Sequence, residues 1–215
     1  VKRMLAYSSI NHAGFILVGV QAATERGVEA ALFYLAAYTF MVAGSFGIIA
    51  VVSRKGDIGN SLDDYRGLSR DRPVLALAFA LFLFAQAGVP LTSGFFAKFY
   101  VITAAVDAGS SGLAIVAMIT EVVIAGRACD AAVIAAFLYL RIIVSMYMST
   151  EDAPEPRTIP VPFAAGLALV ISLAVTIGVG VFPGTLSSLA KDATPALVEE
   201  PAPVAADPTT APLVP

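Results

Sequence analysis

Ala85-Gln-Ala-Gly-Val-Pro-Leu-Thr-Ser-Gly-Phe-Phe-Ala-Lys-Phe-Tyr100 places an ammonium, Lys98, inside an apolar run that extends from Pro73 to Val106. A straight helix over that run would be about 50 Å long at about 1.5 Å per residue, against a hydrocarbon core of about 30 Å. Pro90 removes an intrahelical donor and clashes with the preceding turn, and Gly88 and Gly94 favour unwinding, so the stretch predicts a helix broken near mid-membrane. Helices broken at that depth mark transport pathways. An intramembrane lysine costs at least about 2.5 kcal/mol on insertion scales and characteristically faces a wet cavity or relays protons or ions.

The rest of the composition agrees. The chain is 58% hydrophobic and 13% charged, with a mean hydropathy of +0.84, and its apolar runs are long enough for transmembrane helices. The first residues open directly on such a run, so no cleavable signal peptide is expected; a start at Val1 suggests a fragment. A net charge of -3 resides in loops and tail and points to no nucleic-acid partner. The single cysteine, Cys129, excludes an internal disulfide and a cysteine-only metal site.

Five membrane-embedded segments are predicted, all helical: Met4 to Ala22, Val28 to Val52, the broken pair from Pro73 to Val106, Leu113 to Met148, and Pro162 to Phe182. Arg54, Lys55, Arg66, Arg70 and Arg72 crowd the connection from Ser53 to Arg72, which is therefore assigned to the cytoplasm. Alternation then places Lys2 and Arg3 inside, Thr24 to Gly27 outside, and the C-terminal tail outside. The run from Leu113 to Met148 is again too long for one upright helix and contains Glu121, Arg127, Cys129 and Asp130. We expect one span centred on Ala131 to Met148, preceded by an interfacial or re-entrant stretch. Residues 1–190 form the expected membrane domain, and 191–215 a disordered Pro/Ala-rich tail.

Candidate chemistry rests on few residues. Lys98 could snorkel to the interface on its four-carbon stem, or act as a relay because burial disfavours its charged form. His12, the single histidine, lies on one helix face with Ser8 and Ser9. It could pass protons or stand as a neutral imidazole bonded to a serine. Lys2 is an interface anchor or a second relay. Gly44, Ser45 and Gly47 are small residues suited to close helix packing. Arg141 could line an aqueous path or pair with a carboxylate, and Glu121 is a candidate membrane carboxylate. The sequence contains no Gly-rich phosphate loop, dinucleotide fingerprint, cysteine cluster or paired haem histidines, so no redox centre and no metal site are expected in this chain.

Lys2-Arg-Met-Leu-Ala-Tyr-Ser-Ser-Ile-Asn-His-Ala-Gly-Phe15, Tyr65-Arg-Gly-Leu68, Ala87-Gly-Val-Pro-Leu-Thr-Ser-Gly-Phe-Phe-Ala-Lys-Phe-Tyr100 and Tyr139-Leu-Arg141 resemble the subunit N family of bacterial NADH:quinone oxidoreductase, respiratory complex I. The likeness runs from about Val1 to Phe182. It implies an all-α, antiporter-like membrane bundle, here the second five-helix repeat with its broken helix near Pro90, plus the last transmembrane helix. It also implies that Lys98 belongs to a polar axis that moves protons, with His12 and Lys2 linked to it. Neighbouring antiporter-like and small membrane subunits would be partners, in a bacterial plasma membrane. NADH, FMN, iron-sulfur clusters and quinone would be bound by partner subunits. Glu121 to Asp130 departs from the family pattern and reads as an insertion. A subunit of a multi-subunit cation/proton antiporter, or an assembly subunit, are the rival readings.

Overall fold

The computed structural model describes residues 1–53, 61–126, 133–148 and 160–198, which are helical throughout apart from turns and connections. Helix α1 (Lys2–Gln21) buries Leu5, His12, Phe15 and Gly19, a stripe at helical spacing, and leaves Tyr7, Ile10 and Leu17 exposed. A tight connection leads into α2 (Glu25–Val52), whose N-cap Thr24 accepts from the Gly27 amide at 3.1 Å. Gly19 and Gly27 face each other here: a β-carbon on Gly27 would lie 2.5 Å from the Gly19 carbonyl oxygen. That approach lets the two helices fold back on each other.

At 28 residues, α2 is about 42 Å long. It is the central helix and packs against α1, α4, α5, α8 and α9. Its small residues serve that role as expected. A β-carbon on Gly44 would enter the Phe82 ring, Gly47 faces Leu169, and Ser45 accepts from the Gln86 amide at 2.6 Å.

Beyond Ser53, the described part of the basic connection begins at Ser61. A 3-10 turn, Asp63–Tyr65, and the short α3 (Leu68–Asp71) seat Tyr65 and Leu68 in the core, with the Tyr65 ring 5.8 Å from Phe79. Burial pushes the Tyr65 phenol above its ordinary range, and the Asp64 carboxylate adds to that. Arg54 and Lys55 lie outside the described residues.

Next come α4 (Pro73–Ala87) and α5 (Ser93–Asp107), each 15 residues and about 22 Å long. Neither half spans a bilayer alone; end to end they do. The break sits at residues 88–92, as the sequence predicts, but Gly94 is not part of it. Gly94 lies in the first turn of α5, where a β-carbon would overlap the Ala85 carbonyl oxygen, so its absence lets the second half start against the backbone of the first.

Helices α6 (Ser111–Gly126) and α7 (Val133–Met148) follow. The stretch before residue 127 is helical, as all the embedded segments were expected to be, and α6 packs along α5 and α1. Ala114 and Ala117 give α6 the small, apolar face this requires. Helix α7 packs against α4, α3 and the 3-10 turn. Ser69 donates to the Met146 carbonyl at 2.7 Å, and Ser145 to the Leu62 carbonyl at 3.2 Å. These bonds fix the end of α7 beside the basic connection. Arg127, Cys129 and Asp130 lie outside the described residues.

Helix α8 (Phe163–Val181) crosses back and turns at Phe182 into α9 (Pro183–Ala193), followed by the short α10 (Pro195–Val198). The backbone is therefore helical past residue 191, where the tail was expected to begin. Pro183 starts α9 at a position that needs no amide donor, and Ala190 and Thr194 are buried. Residues 199–215 lie outside the described residues. Helices α2 and α8 are each long and apolar enough to cross a membrane.

Gly94→Ala is expected to force α5 away from α4 and destabilise the folded protein by about 1–3 kcal/mol. Thermal unfolding in detergent would show this as a lowered midpoint. Gly112→Ala, where a β-carbon meets nothing within 4 Å, should leave the midpoint unchanged.

Candidate functional site

Broken backbone in an apolar setting must be satisfied locally. The Gly88 amide bonds to the Ala85 carbonyl at 3.0 Å and the Val89 amide to the Phe84 carbonyl at 3.1 Å. This is the Schellman arrangement, with Gly88 in the left-handed region at φ +85°. Pro90 follows the cap, so the helix has already ended by capping when the proline is reached. Thr92 closes the turn, its hydroxyl donating to the Val89 carbonyl at 2.6 Å.

The Ala87 carbonyl also faces the break. Lys98 reaches back from the second turn of α5 and donates to it at 3.3 Å. The ammonium thus lies at the C-terminal end of a half-helix, where the helix dipole favours a cation. Its second support is the Phe15 ring, with Nζ 5.4 Å from the centroid. A β-carbon on Gly88 would stand 3.3 Å from Lys98 Nζ, so the glycine provides both the left-handed turn and the room for the ammonium. Lys98 is half-buried and points into the bundle rather than snorkelling to an end.

Phe15 connects this group to the histidine. Its ring lies 6.0 Å from Tyr34, nearly parallel, and the Tyr34 hydroxyl is 2.8 Å from His12 Nδ1. His12 is 1% exposed and stacks on Tyr38 at 4.4 Å. Its partner is a tyrosine of α2 and not a serine of its own helix. Ser9 bonds back to the Leu5 carbonyl, and Ser8 bonds to Tyr139 across the bundle. His12 Nε2, the Tyr38 hydroxyl and Ser93 Oγ are buried without a protein hydrogen-bond partner. Buried polar atoms of this kind are ordinarily satisfied by water.

The structure therefore brings Lys98, His12, Gly88 and Pro90 into one region. Lys2 is not brought there: it is exposed at the start of α1, about 15 Å along the helix from His12. Arg141 is exposed on α7, and the Glu121 side chain lies outside the described residues. Asp107, too far along α5 to meet Lys98, pairs with Arg26 at 2.5 Å. Sequence reasoning missed Phe15, Tyr34 and Tyr38. The last two recur at i and i+4 on α2, an aromatic pair that an apolar helix obscures. Among the described residues no cluster of three His, Cys, Asp or Glu could hold a metal ion.

Residues 1–125 match the family described as NADH:quinone oxidoreductase/Mrp antiporter, TM. The chain belongs to this transmembrane family. It is 42% identical to NADH-quinone oxidoreductase subunit N 1 of Solibacter usitatus over 86% of this chain and 36% of that protein. Its identity to NADH-quinone oxidoreductase subunit N of Thioalkalivibrio sulfidiphilus is 43%, over 90% and 38% respectively. A chain of respiratory complex I from Thermus thermophilus with bound aureothin superposes with a TM-score of 0.69 at 28% identity, covering 87% of this chain and 39% of that one. The Mrp complex from Dietzia sp. shares the fold, with a TM-score of 0.66 at 23% identity over 91% of this chain and 42% of the matched one. The chain thus spans less than two-fifths of the length of these two curated relatives.

Tyr34→Phe should leave His12 Nδ1 buried without its partner and cost about 1–3 kcal/mol, read as a lower unfolding midpoint. Gly88→Val combines left-handed strain of about 1–2 kcal/mol with crowding of the Lys98 stem. Its effect should exceed that of Gly88→Asn, because asparagine tolerates the left-handed region.

Proposed function

We propose that this chain is the C-terminal part of an antiporter-like membrane subunit of NADH:quinone oxidoreductase in a bacterial plasma membrane. In this reading it contributes a proton path driven by electron transfer from NADH to quinone in partner subunits, beside neighbouring antiporter-like and small membrane subunits. FMN, the iron-sulfur clusters and the quinone site belong to those partners, and this chain carries no redox centre.

The observation that carries the reading is the Lys98 ammonium held on the Ala87 carbonyl at a mid-bundle helix break, one ring away from a buried histidine–tyrosine pair. Lys98 is the central proton-carrying group. Its ammonium rests on the Ala87 carbonyl and the Phe15 ring face. His12 and Tyr34 form a second station. Phe15 separates the two stations, so transfer between them runs through water around the ring. Lys2, at the basic end, is assigned the weaker role of an entry or anchoring group. A charge change next to Lys98 in a neighbouring subunit shifts its proton affinity, because charges interact strongly in a low-dielectric interior.

The test is proton uptake alongside quinone reduction in membrane vesicles containing the full-length subunit with Lys98→Ala. Pumping should fall by about 10²-fold while the complex still assembles, as expected when a positioned proton-transfer group is lost. Persistent pumping would make Lys98 a tolerated buried lysine. Purification without iron-sulfur partners would favour a cation/proton antiporter.

A further inference from the structure

At the end of the bundle opposite the basic connection, α2, α5 and α9 enclose an open cavity of about 320 Å³, lined by Arg26, Glu29, Phe33, Tyr100, Ser187 and Lys191 among others. Nothing in the proton-path reading uses it. Each of the three helices offers it a pair of residues one turn apart: Arg26 and Glu29 from α2, Tyr100 and Thr103 from α5, Ser187 and Lys191 from α9. Such pairs lie on one helix face, with β-carbons about 5–6 Å apart.

The chemistry is mixed in sign. Arg26 holds Asp107 at 2.5 Å, with its side chain 69% exposed, so part of its donor fork faces outward. Lys191 makes no ion pair among the described residues. Glu29 accepts from the Ser187 hydroxyl at 3.0 Å through Oε1, which leaves its second oxygen free of that bond. Beneath these groups the floor is apolar: Ala30 and Phe33 are buried, and the Phe33 ring meets Tyr100 edge-on at 4.9 Å. On the outer side of α9, Phe182 and Leu189 are 70% and 65% exposed, consistent with contact with acyl chains.

We propose that this cavity binds the headgroup of a membrane phospholipid with a phosphodiester and a primary ammonium, of the phosphatidylethanolamine type. The phosphodiester takes donors from Lys191, Arg26 and the hydroxyls, and the ammonium takes the Glu29 carboxylate. The apolar floor accepts the upper part of an acyl chain. Two cations alone would select any anionic lipid; Glu29 among them discriminates. It repels a purely anionic headgroup, and it cannot hydrogen-bond the trimethylammonium of phosphatidylcholine. The location supports a lipid over a soluble ligand, because the cavity opens where the long apolar helix α2 reaches the membrane boundary.

The experiment is lipid binding by native mass spectrometry on the full-length subunit in its purified, detergent-solubilised complex, titrated with phosphatidylethanolamine, phosphatidylcholine, phosphatidylglycerol or inorganic phosphate. Phosphatidylethanolamine is expected to bind about fivefold or more tightly than phosphatidylcholine, a difference of the size one good polar contact gives. Glu29→Gln should erase that preference while keeping phosphodiester binding, and Lys191→Gln should weaken all three lipids. Both side chains are solvent-accessible, so the variants should fold; Thr185→Ala, outside the cavity lining, is the control. Equal binding of the three lipids, a preference for phosphatidylglycerol, or full competition by inorganic phosphate would each overturn the proposal. None of these outcomes depends on proton pumping, so they leave the role of Lys98 untouched.

Discussion

One hydrogen bond organises the centre of this molecule: the Lys98 ammonium on the Ala87 carbonyl at 3.3 Å. A membrane helix broken at mid-depth exposes carbonyls that water cannot reach freely, and a lysine buried at that depth exposes a charge. Each is unfavourable alone. Placed together, the free end of α4 gains a donor and the ammonium gains the negative end of a half-helix dipole. The break and the lysine are thus a single device. Gly88, Gly94 and Gly180 are its permissive elements, since a β-carbon at each would meet the Lys98 stem, the Ala85 backbone or the turn at Leu91 and Thr92.

The magnitudes show how far the site offsets the cost of holding this charge. Burying a lysine near mid-membrane costs about 2.5–3.5 kcal/mol on insertion scales. A hydrogen bond from a charged donor returns about 1.5–3 kcal/mol, the ring face about 0.5–2 and the helix terminus about 0.3–1. Gain and cost lie within a few kcal/mol of each other.

Much of this was legible in the sequence because it rests on local geometry. An apolar run too long for one helix, interrupted by Gly and Pro, needs no tertiary information to be read as broken. The small residues Gly44 and Gly47 are likewise local. What the sequence hid is pairwise. Tyr34 is one aromatic among many in an apolar helix, and only the α1–α2 fold-back sets it against His12. Ser8 and Ser9 share a face with His12, yet other helices and backbone carbonyls compete for them and win. Gly94 was read by its torsional freedom, whereas its place is set by close approach. The packing of α6 on α5 and α1 through Ala114 and Ala117 is likewise pairwise.

The break divides α4 from α5, while α2 and α8 are long and apolar enough to cross unbroken. This division has a mechanical logic. A continuous helix resists a local change because each turn is bonded to the next, so the unbroken helices serve as a frame. A broken one transmits little along its axis, and each half answers to its own neighbours: α4 to the core with Phe79, Phe82 and Ile142, α5 to that with Phe33 and Tyr34. Lys98 of α5 rests on the end of α4, with Phe15 of α1 against it. A change of contact at that point can be taken up between the half-helices without unpacking either core.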